Sequence, residues 1–219
     1  MACGFNRNVG NVSGVQISTS NIILDTLKGM QMGGVNYARM NKGFQLGIIN
    51  LADSSDGVSI GFLSIVKKGY YNLSVFTDEM LMANIQFKMG THKFYNIWGL
   101  SASKEMWGLT YGAGVHGHPE KKLSFNYDLS LTNMSYKKIF EIQVCLKTTL
   151  SADINFRLNE KFDLFAGLSY NVFTSDRIID TALQNYIREI TNSPIQENFF
   201  KSVKFQMWPG ACLGLKYRL

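Results

Sequence analysis

The sequence predicts an all-β fold, an antiparallel β-barrel of about twelve strands with one short helix in a late loop. Two patterns predict it: a 14-residue glycine repeat in the first third, and long segments of alternating apolar and polar residues in the rest. The 20 glycines against 3 prolines, with only 17% charged residues, are typical of tightly turned β-structure. We therefore expect a single β domain over residues 1–219, comprising repeats (1–68) and long strands (69–219) with a helical insertion (175–190).

The repeats share the form Gly-φ-Gln-φ-Gly/Ser-x-x-Asn-φ, where φ is an apolar residue. In the last copy Ser59 replaces the Gln and Ser64 replaces the Asn. Their opening glycines are 15, 14 and 14 residues apart, at Gly14, Gly29, Gly43 and Gly57. A unit of this length accommodates a strand of about ten residues and a short turn, which predicts successive barrel strands. The alternative is a β-solenoid joined to an antiparallel sheet region, in which each repeat is one rung and Asn and Gln side chains form ladders.

Residues after Tyr70 form longer segments with a period of two. In residues 123–132 the odd positions are Leu, Phe and Tyr and the even positions are Ser, Asn, Asp and Thr; residues 146–158 alternate in the same way. A soluble sandwich with its apolar face inward and a membrane barrel with its apolar face outward both produce this pattern. Several runs reach the roughly nine to eleven residues that cross a bilayer, which favours the membrane barrel.

The repeats, the junction Gly57–Tyr70 and the hairpin Leu158–Gly167 followed by Tyr170–Phe173 resemble the surface-repeat proteins of Gram-negative bacteria. The resemblance spans nearly the whole chain. It implies an exported protein of the outer membrane or cell surface, in contact with outer-membrane lipid, and it brings no catalytic residues. The chain departs from this expectation because its N-terminus has no export signal. Asn6 lies fifteen residues before Asn21, so we expect a start truncated within an earlier repeat.

Metal and enzyme motifs are weak in this sequence. The segment His116–Glu120 offers two imidazoles and one carboxylate, which do not close a tetrahedral site unless His92 contributes, so we predict no metal ion. Hydrolase, zinc-protease and phosphate-loop motifs are absent, so we predict no catalysis and no cofactor. Cys3, Cys145 and Cys212 form no CxxC motif and are expected to pack. The net charge of +6 is scattered, which argues against nucleic-acid binding.

Charged residues on the polar faces of the late strands are the candidate lumen-lining set. They are Asp128, Lys147, Asp153, Arg157, Lys216 and Arg218. In a narrow barrel they would cross-link the interior as ion pairs, in a wide one they would tune ion passage, and in a soluble protein they would face water.

One helix is predicted between the last two long strands. Ser175 or Asp176 would cap it, an apolar stripe would run along it, and the segment Asn192–Pro194 would end it. The stripe would close one barrel end or dock on a partner. Pro209 predicts a bulge, or a final strand that begins only at Gly210.

These patterns predict a non-catalytic outer-membrane or cell-surface barrel with a structural or interaction role. The alternatives are a soluble β-solenoid binding module and a small-solute pore. The residues specify neither a protein partner nor a small-molecule ligand.

Overall fold

The computed structural model describes residues 3–91, 93–104, 106–117, 121–136, 145–176, 181–194, 196–197 and 203–219. Two compact units divide the chain: Met1–Tyr71 with Lys88–Asn96, and Asn72–Phe87 with Ile97–Leu219. The elements in chain order are β1 (Cys3–Asn8), β2 (Val15–Leu27), β3 (Met30–Asn41), β4 (Phe44–Ser55), β5 (Val58–Ile60), β6 (Leu63–Val66), β7 (Tyr70–Asp78), β8 (Ala83–Gly90), β9 (Phe94–Ala102), β10 (Met106–Gly117), β11 (Leu123–Tyr136), β12 (Cys145–Arg157), β13 (Phe162–Asp176), α1 (Thr181–Thr191), β14 (Gln196–Glu197) and β15 (Val203–Arg218).

The glycine repeats form a stack of parallel strands. β1 to β4 pair in parallel in sequence order. The short strands β5 and β6 follow one another along the same edge of β4 and together form the last rung. The register places Asn21 beside Asn36 and Asn36 beside Asn50. The prediction that the repeats are antiparallel barrel strands is therefore wrong, and the solenoid alternative describes them. Parallel pairing in register is the arrangement that places identical side chains next to each other, which antiparallel pairing of these repeats would not do.

The first glycine of each inner repeat lies where two rungs touch through their backbones. A Cβ atom at Gly43 would overlap the carbonyl oxygen of Gly29, and one at Gly57 would overlap that of Gly43. At Gly14, in the first copy, a Cβ atom would meet no atom within 4 Å. The repeat glycines are thus required by close packing between rungs, and the requirement begins with the second copy.

The second sheet is a closed antiparallel barrel of eight strands. Its order is β13-β12-β11-β10-β9-β8-β7-β15, and β15 also pairs with β13, which closes the ring. The expected count of about twelve strands is not confirmed, because the four repeats pair in parallel in a separate sheet. Strands β10 to β13 and β15 are 12 to 16 residues long, which exceeds the ordinary length of about five or six residues in soluble sheets.

The structure corrects the predicted cap of the helix and agrees with its predicted end. Ser175 and Asp176 do not cap the helix, because both belong to β13 and pair with Lys204 and Val203 of β15; residues 177–180 lie outside the described residues. The helix ends at Thr191, followed by Asn192 in the left-handed region at φ 52°, as the stop signal predicts.

Pro209 does not interrupt β15, which runs continuously from Val203 to Arg218. It pairs with Tyr170 of β13. The pairing of β15 with β7 begins only at Cys212. Pro209 therefore lies where β7 does not flank the strand, and a missing N–H is tolerated at such a position.

An apolar cluster occupies one end of the barrel. Its buried members are Met80, Leu81, Met106, Met134, Cys145, Phe173, Ile187 and Trp208. Ile187 belongs to α1 and Tyr186 packs against the cluster, so the helix packs on the strands and covers this end, whereas Ile190 of the predicted stripe is exposed. Cys145 packs here as a small apolar residue, as expected.

Candidate functional site

The barrel is polar inside and apolar outside. On β11, Asp128 is 6% exposed while the adjacent Leu129 is 54% exposed. The same contrast runs along the other long strands. The buried set includes Ser74, Asn84, Thr110, Ser124, Asn126, Thr132, Asp153, Asn155, Asp163 and Asn171, and the exposed set includes Leu73, Val75, Ile85, Leu109, Val115, Leu131, Leu150, Ile154, Leu164, Leu168, Leu213 and Leu215.

An ion pair crosses the interior at the end that the helix covers. Lys147 of β12 donates a hydrogen bond of 3.0 Å from its Nζ to Oδ2 of Asp78 at the end of β7. These strands are not neighbours, since β13 and β15 separate them in the sheet order. Oδ1 of Asp78 also accepts hydrogen bonds from the backbone N–H groups of Met80 and Leu81. One carboxylate therefore fixes the β7–β8 turn and neutralises a buried lysine.

Glu79, the next residue, accepts as many hydrogen bonds as Asp78 does. Its Oε1 accepts hydrogen bonds from Trp208 Nε1 at 2.7 Å and Asn171 Nδ2 at 2.9 Å, and its Oε2 accepts one from the backbone N–H of Ala211 at 3.2 Å. Sequence analysis missed Glu79, because its position in a turn indicates a solvated carboxylate. Its donors lie far along the chain on β13 and β15, so the local sequence carries no signal for them.

A second charged group lies further along the interior. Lys216 of β15, only 1% exposed, has its Nζ 3.5 Å from Oδ2 of Asp153 on β12 and donates to Oδ1 of Asn155. The same ammonium lies 4.2 Å from the ring centroid of Phe165 on β13. A lysine, a carboxylate, a carboxamide and an aromatic ring thus fill this level of the barrel.

At the opposite end, Arg218 is held by a carboxylate. Its Nε and Nη2 atoms donate hydrogen bonds of 2.6 to 2.9 Å to Asp163 of β13. Asp163 was not among the predicted residues. Of the six that were, Asp128, Lys147, Asp153 and Lys216 are buried on the inner face of the barrel, and Arg157 and Arg218 are half-buried near its end. The structure joins Asp153 to Lys216, whereas Lys147 and Arg218 pair with other residues.

A basic pocket opens at this end. Its volume is about 590 Å³ and its lining consists of Lys122, Arg157, Leu158, Asn159, Glu160 and Arg218. Backbone hydrogen bonds hold the cationic residues in place: Arg157 N donates to Lys122 O at 2.9 Å, and Arg218 N donates to Lys161 O at 2.8 Å. We call this feature the rim pocket. The sequence did not reveal it, because its residues come from three separate segments.

Amide ladders run through the stack of repeats. Asn21 Nδ2 donates to Asn36 Oδ1 at 2.8 Å, and Asn36 Nδ2 donates to Asn50 Oδ1 at 2.9 Å. A parallel ladder joins Gln31 to Gln16 at 3.2 Å and Gln45 to Gln31 at 2.9 Å. Each of these asparagines also donates to a backbone carbonyl of the next rung. The ladders hold the rungs at a fixed register.

In the repeats, the hydroxyl group of Tyr37 on β3 donates a hydrogen bond of 3.2 Å to Oδ2 of Asp53 on the adjacent rung, β4. Burial, together with the nearby Asp53 carboxylate, raises the pKa of Tyr37 above its ordinary value. The hydroxyl therefore remains a hydrogen-bond donor throughout the neutral pH range.

The metal motif gives no assembled site in the described part of the chain. His116 is buried on the inner face of β10, whereas His92, His118 and Glu120 lie outside the described residues. Among the residues that the structure describes, no group of three or more His, Cys, Asp or Glu side chains is placed to hold a metal ion.

Comparisons with known proteins give structural neighbours only. No protein-family model matches the chain, and no curated protein matches it. A de novo designed transmembrane β-barrel aligns with a TM-score of 0.40 at 10% identity, covering 68% of this chain and 93% of that chain. The outer membrane protein Ail of Yersinia pestis, solved in a phospholipid bilayer nanodisc, aligns with a TM-score of 0.36 at 12% identity, covering 69% of this chain and 100% of that chain.

In the described ranges, no helix is long and apolar enough to cross a membrane.

Proposed function

We propose that this chain is a non-catalytic outer-membrane β-barrel protein of a bacterial envelope, with a structural or interaction role. The observation that carries the proposal is the inverted burial of the barrel, in which Asp128, Asp153 and Lys216 are buried and leucines such as Leu129 are exposed. A soluble protein rarely exposes a continuous apolar surface of this extent, whereas a bilayer requires one.

The interior supports a closed barrel over a solute pore. The Lys147–Asp78 and Lys216–Asp153 pairs span the inside at two levels. The apolar cluster and α1 fill one end. Both lysines have a carboxylate within 4 Å, so these side chains satisfy one another across the interior, which disfavours a continuous water column.

The lengths of the connections suggest an orientation. At the end that carries α1 the connections are residues 79–82, 103–105, 137–144 and 177–202, and at the other end they are 91–93, 118–122 and 158–161. In outer-membrane barrels the short turns face the periplasm and the longer loops face the exterior. We therefore assign the end with α1 to the outside of the cell and the rim pocket to the periplasmic side.

The repeats support membership in the Gram-negative surface-repeat family, because the motif that defines the resemblance forms a regular structural unit. A β-solenoid binding module is the second candidate function, and the parallel rungs favour it for residues 14–66. This role is compatible with the barrel, since the two units are distinct.

Refolding the chain with and without detergent tests the proposal. We expect a monodisperse species only in detergent or in phosphatidylcholine vesicles, with a faster electrophoretic mobility before boiling than after it. We also expect no steady single-channel conductance in planar bilayers. A monodisperse folded protein without detergent would contradict the membrane assignment, and a steady ohmic conductance would favour the pore.

A further inference from the structure

We propose that the rim pocket binds the phosphodiester group of a membrane lipid headgroup. This inference rests on the proposed membrane barrel and names a ligand class for it. The pocket is an open depression of about 590 Å³ at the barrel surface, which a headgroup can reach without any rearrangement of the strands. Three of its six lining residues are cationic, and guanidinium groups suit phosphate oxygens because their N–H groups form a planar fork.

The cations of the rim pocket are positioned before any ligand arrives. Arg218 is fixed by its bonds of 2.6 to 2.9 Å to Asp163. Arg157 is half-buried, and its backbone is tied to Lys122. Oδ1 of Asn159 accepts hydrogen bonds from Lys161 N and Phe162 N, which orders the turn that forms one wall. A site with ordered walls binds with a smaller entropic cost than one that must be assembled.

The position of the pocket matches the level of lipid phosphates. The apolar outer face of the barrel ends here with Phe156, Leu158 and Phe162, all of them exposed. Lys122 Nζ lies 5.0 Å from the ring centroid of Phe156, so this ammonium is next to the lipid-facing surface. Aromatic residues and lysines at the end of an apolar band mark the membrane interface, where headgroups are found.

The charge of the pocket favours a phosphodiester over free phosphate. Asp163 already neutralises Arg218, and Glu160 contributes a carboxylate to the lining. Together the three cations Lys122, Arg157 and Arg218 face the two carboxylates of Asp163 and Glu160, which leaves this end with a net charge of +1. A singly charged phosphodiester is repelled less by Glu160 than a phosphate with a charge near −2.

The test measures how much phosphatidylglycerol stays with the folded, detergent-solubilised protein after washing, by native mass spectrometry. We expect Lys122→Ala to retain about fivefold less lipid, the effect of one basic residue near a membrane surface, and Lys122→Ala with Arg157→Gln to retain less still. Lys161→Ala is the matched control, because Lys161 belongs to the same exposed turn but does not line the pocket, and it should retain lipid as the parent chain does.

Three results would overturn the inference. One is an equal loss of lipid in Lys161→Ala and Lys122→Ala, which would indicate general surface charge. Another is displacement of the lipid by millimolar inorganic phosphate, which would make free phosphate the ligand. The third is full retention in the double variant. Electrophoretic mobility before boiling monitors folding of every variant, so a failure of the barrel proposal itself would be recognised separately.

Discussion

The repeats and the barrel both bury polar side chains, and they satisfy them in different ways. In the repeats, strands pair in parallel and in register, so each residue lies beside its own equivalent. Identical charges would repel there, whereas an amide both donates and accepts, and Asn21, Asn36 and Asn50 form a ladder. In the barrel, strands of different sequence face one another, so opposite charges such as Lys216 and Asp153 can pair. The pairing geometry thus selects amides in one unit and ions in the other.

Removing the middle amide of the ladder is expected to have the largest effect. Asn36→Leu deprives Asn21 Nδ2 of its acceptor and Asn50 Oδ1 of a donor, and both residues are fully buried. Each unsatisfied buried group costs about 1–3 kcal/mol, so we expect a loss of roughly 2–6 kcal/mol in the free energy of unfolding, measured by denaturant titration.

Asn6→Leu is the control for the ladder, because Asn6 is only half-buried and its single bond to Asn21 is long, at 3.5 Å. It should cost less than Asn36→Leu by a clear margin. Equal losses in the two variants would show that the ladder is not what stabilises the repeats.

The ionic counterpart is Lys216→Met, which leaves Asp153 without its cation inside the barrel. Breaking a buried pair on one side costs about 3–5 kcal/mol, whereas replacing both partners by apolar residues is often neutral. We therefore expect the double variant Lys216→Met with Asp153→Leu to recover most of the stability lost by the single change, as judged by the urea midpoint in detergent. A double variant as unstable as the single one would contradict the charge explanation.

The apolar outer face is tested by introducing a charge at two depths. Leu129 lies in the middle of β11, and Leu158 lies in the turn after β12; both side chains are 54% exposed. In a bilayer, Leu129→Arg should cost about 2–4 kcal/mol and Leu158→Arg about 0–1 kcal/mol, because the cost depends on depth. Folding yield into vesicles measures both. Similar yields for the two variants would place the barrel in water.

The smallest expected effect comes from packing between rungs. Gly43→Ala places a methyl group against the carbonyl of Gly29, whereas Gly14→Ala places it in open space. Overpacking typically costs about 1–3 kcal/mol, so only the first change should lower the midpoint of thermal unfolding. A matching decrease in Gly14→Ala would instead indicate an effect of glycine on the unfolded chain.

The alternation of apolar and polar residues predicted the late strands well. Along residues 123–132 and 146–157 it assigned the faces that the structure has, because a side-chain period of two follows directly from strand geometry. It left the direction of pairing open in the repeats. Fourteen residues accommodate either an antiparallel strand with its turn or one parallel rung. Which of the two forms depends on the contacts between neighbouring copies, and the sequence pattern within a single copy does not specify those contacts.

The interior partners could not be predicted from the sequence for a related reason. Asp78 ends β7 and Glu79 begins the four-residue connection that follows it, a position where acidic residues are ordinarily solvated. Their partners, Lys147, Asn171 and Trp208, are brought to them only by barrel closure. The rim pocket has the same origin, since its lining residues Lys122, Arg157 and Arg218 meet only when β11, β12, β13 and β15 lie in order around the barrel.

Closure of the barrel also determines the order in which the chain can fold. Asn72 on the first barrel strand pairs with Arg218 on the last one, so the ring cannot form until the chain has been synthesised through β15. Rungs pair with their neighbours in sequence and can be added one at a time. Contacts between distant residues form slowly, and the exposed edges that await them are prone to aggregate. Until β15 has been made, β7 and β13 both have an unpaired edge, so the open barrel is exposed to aggregation for longer than a rung, whose next neighbour in the stack follows directly in the sequence.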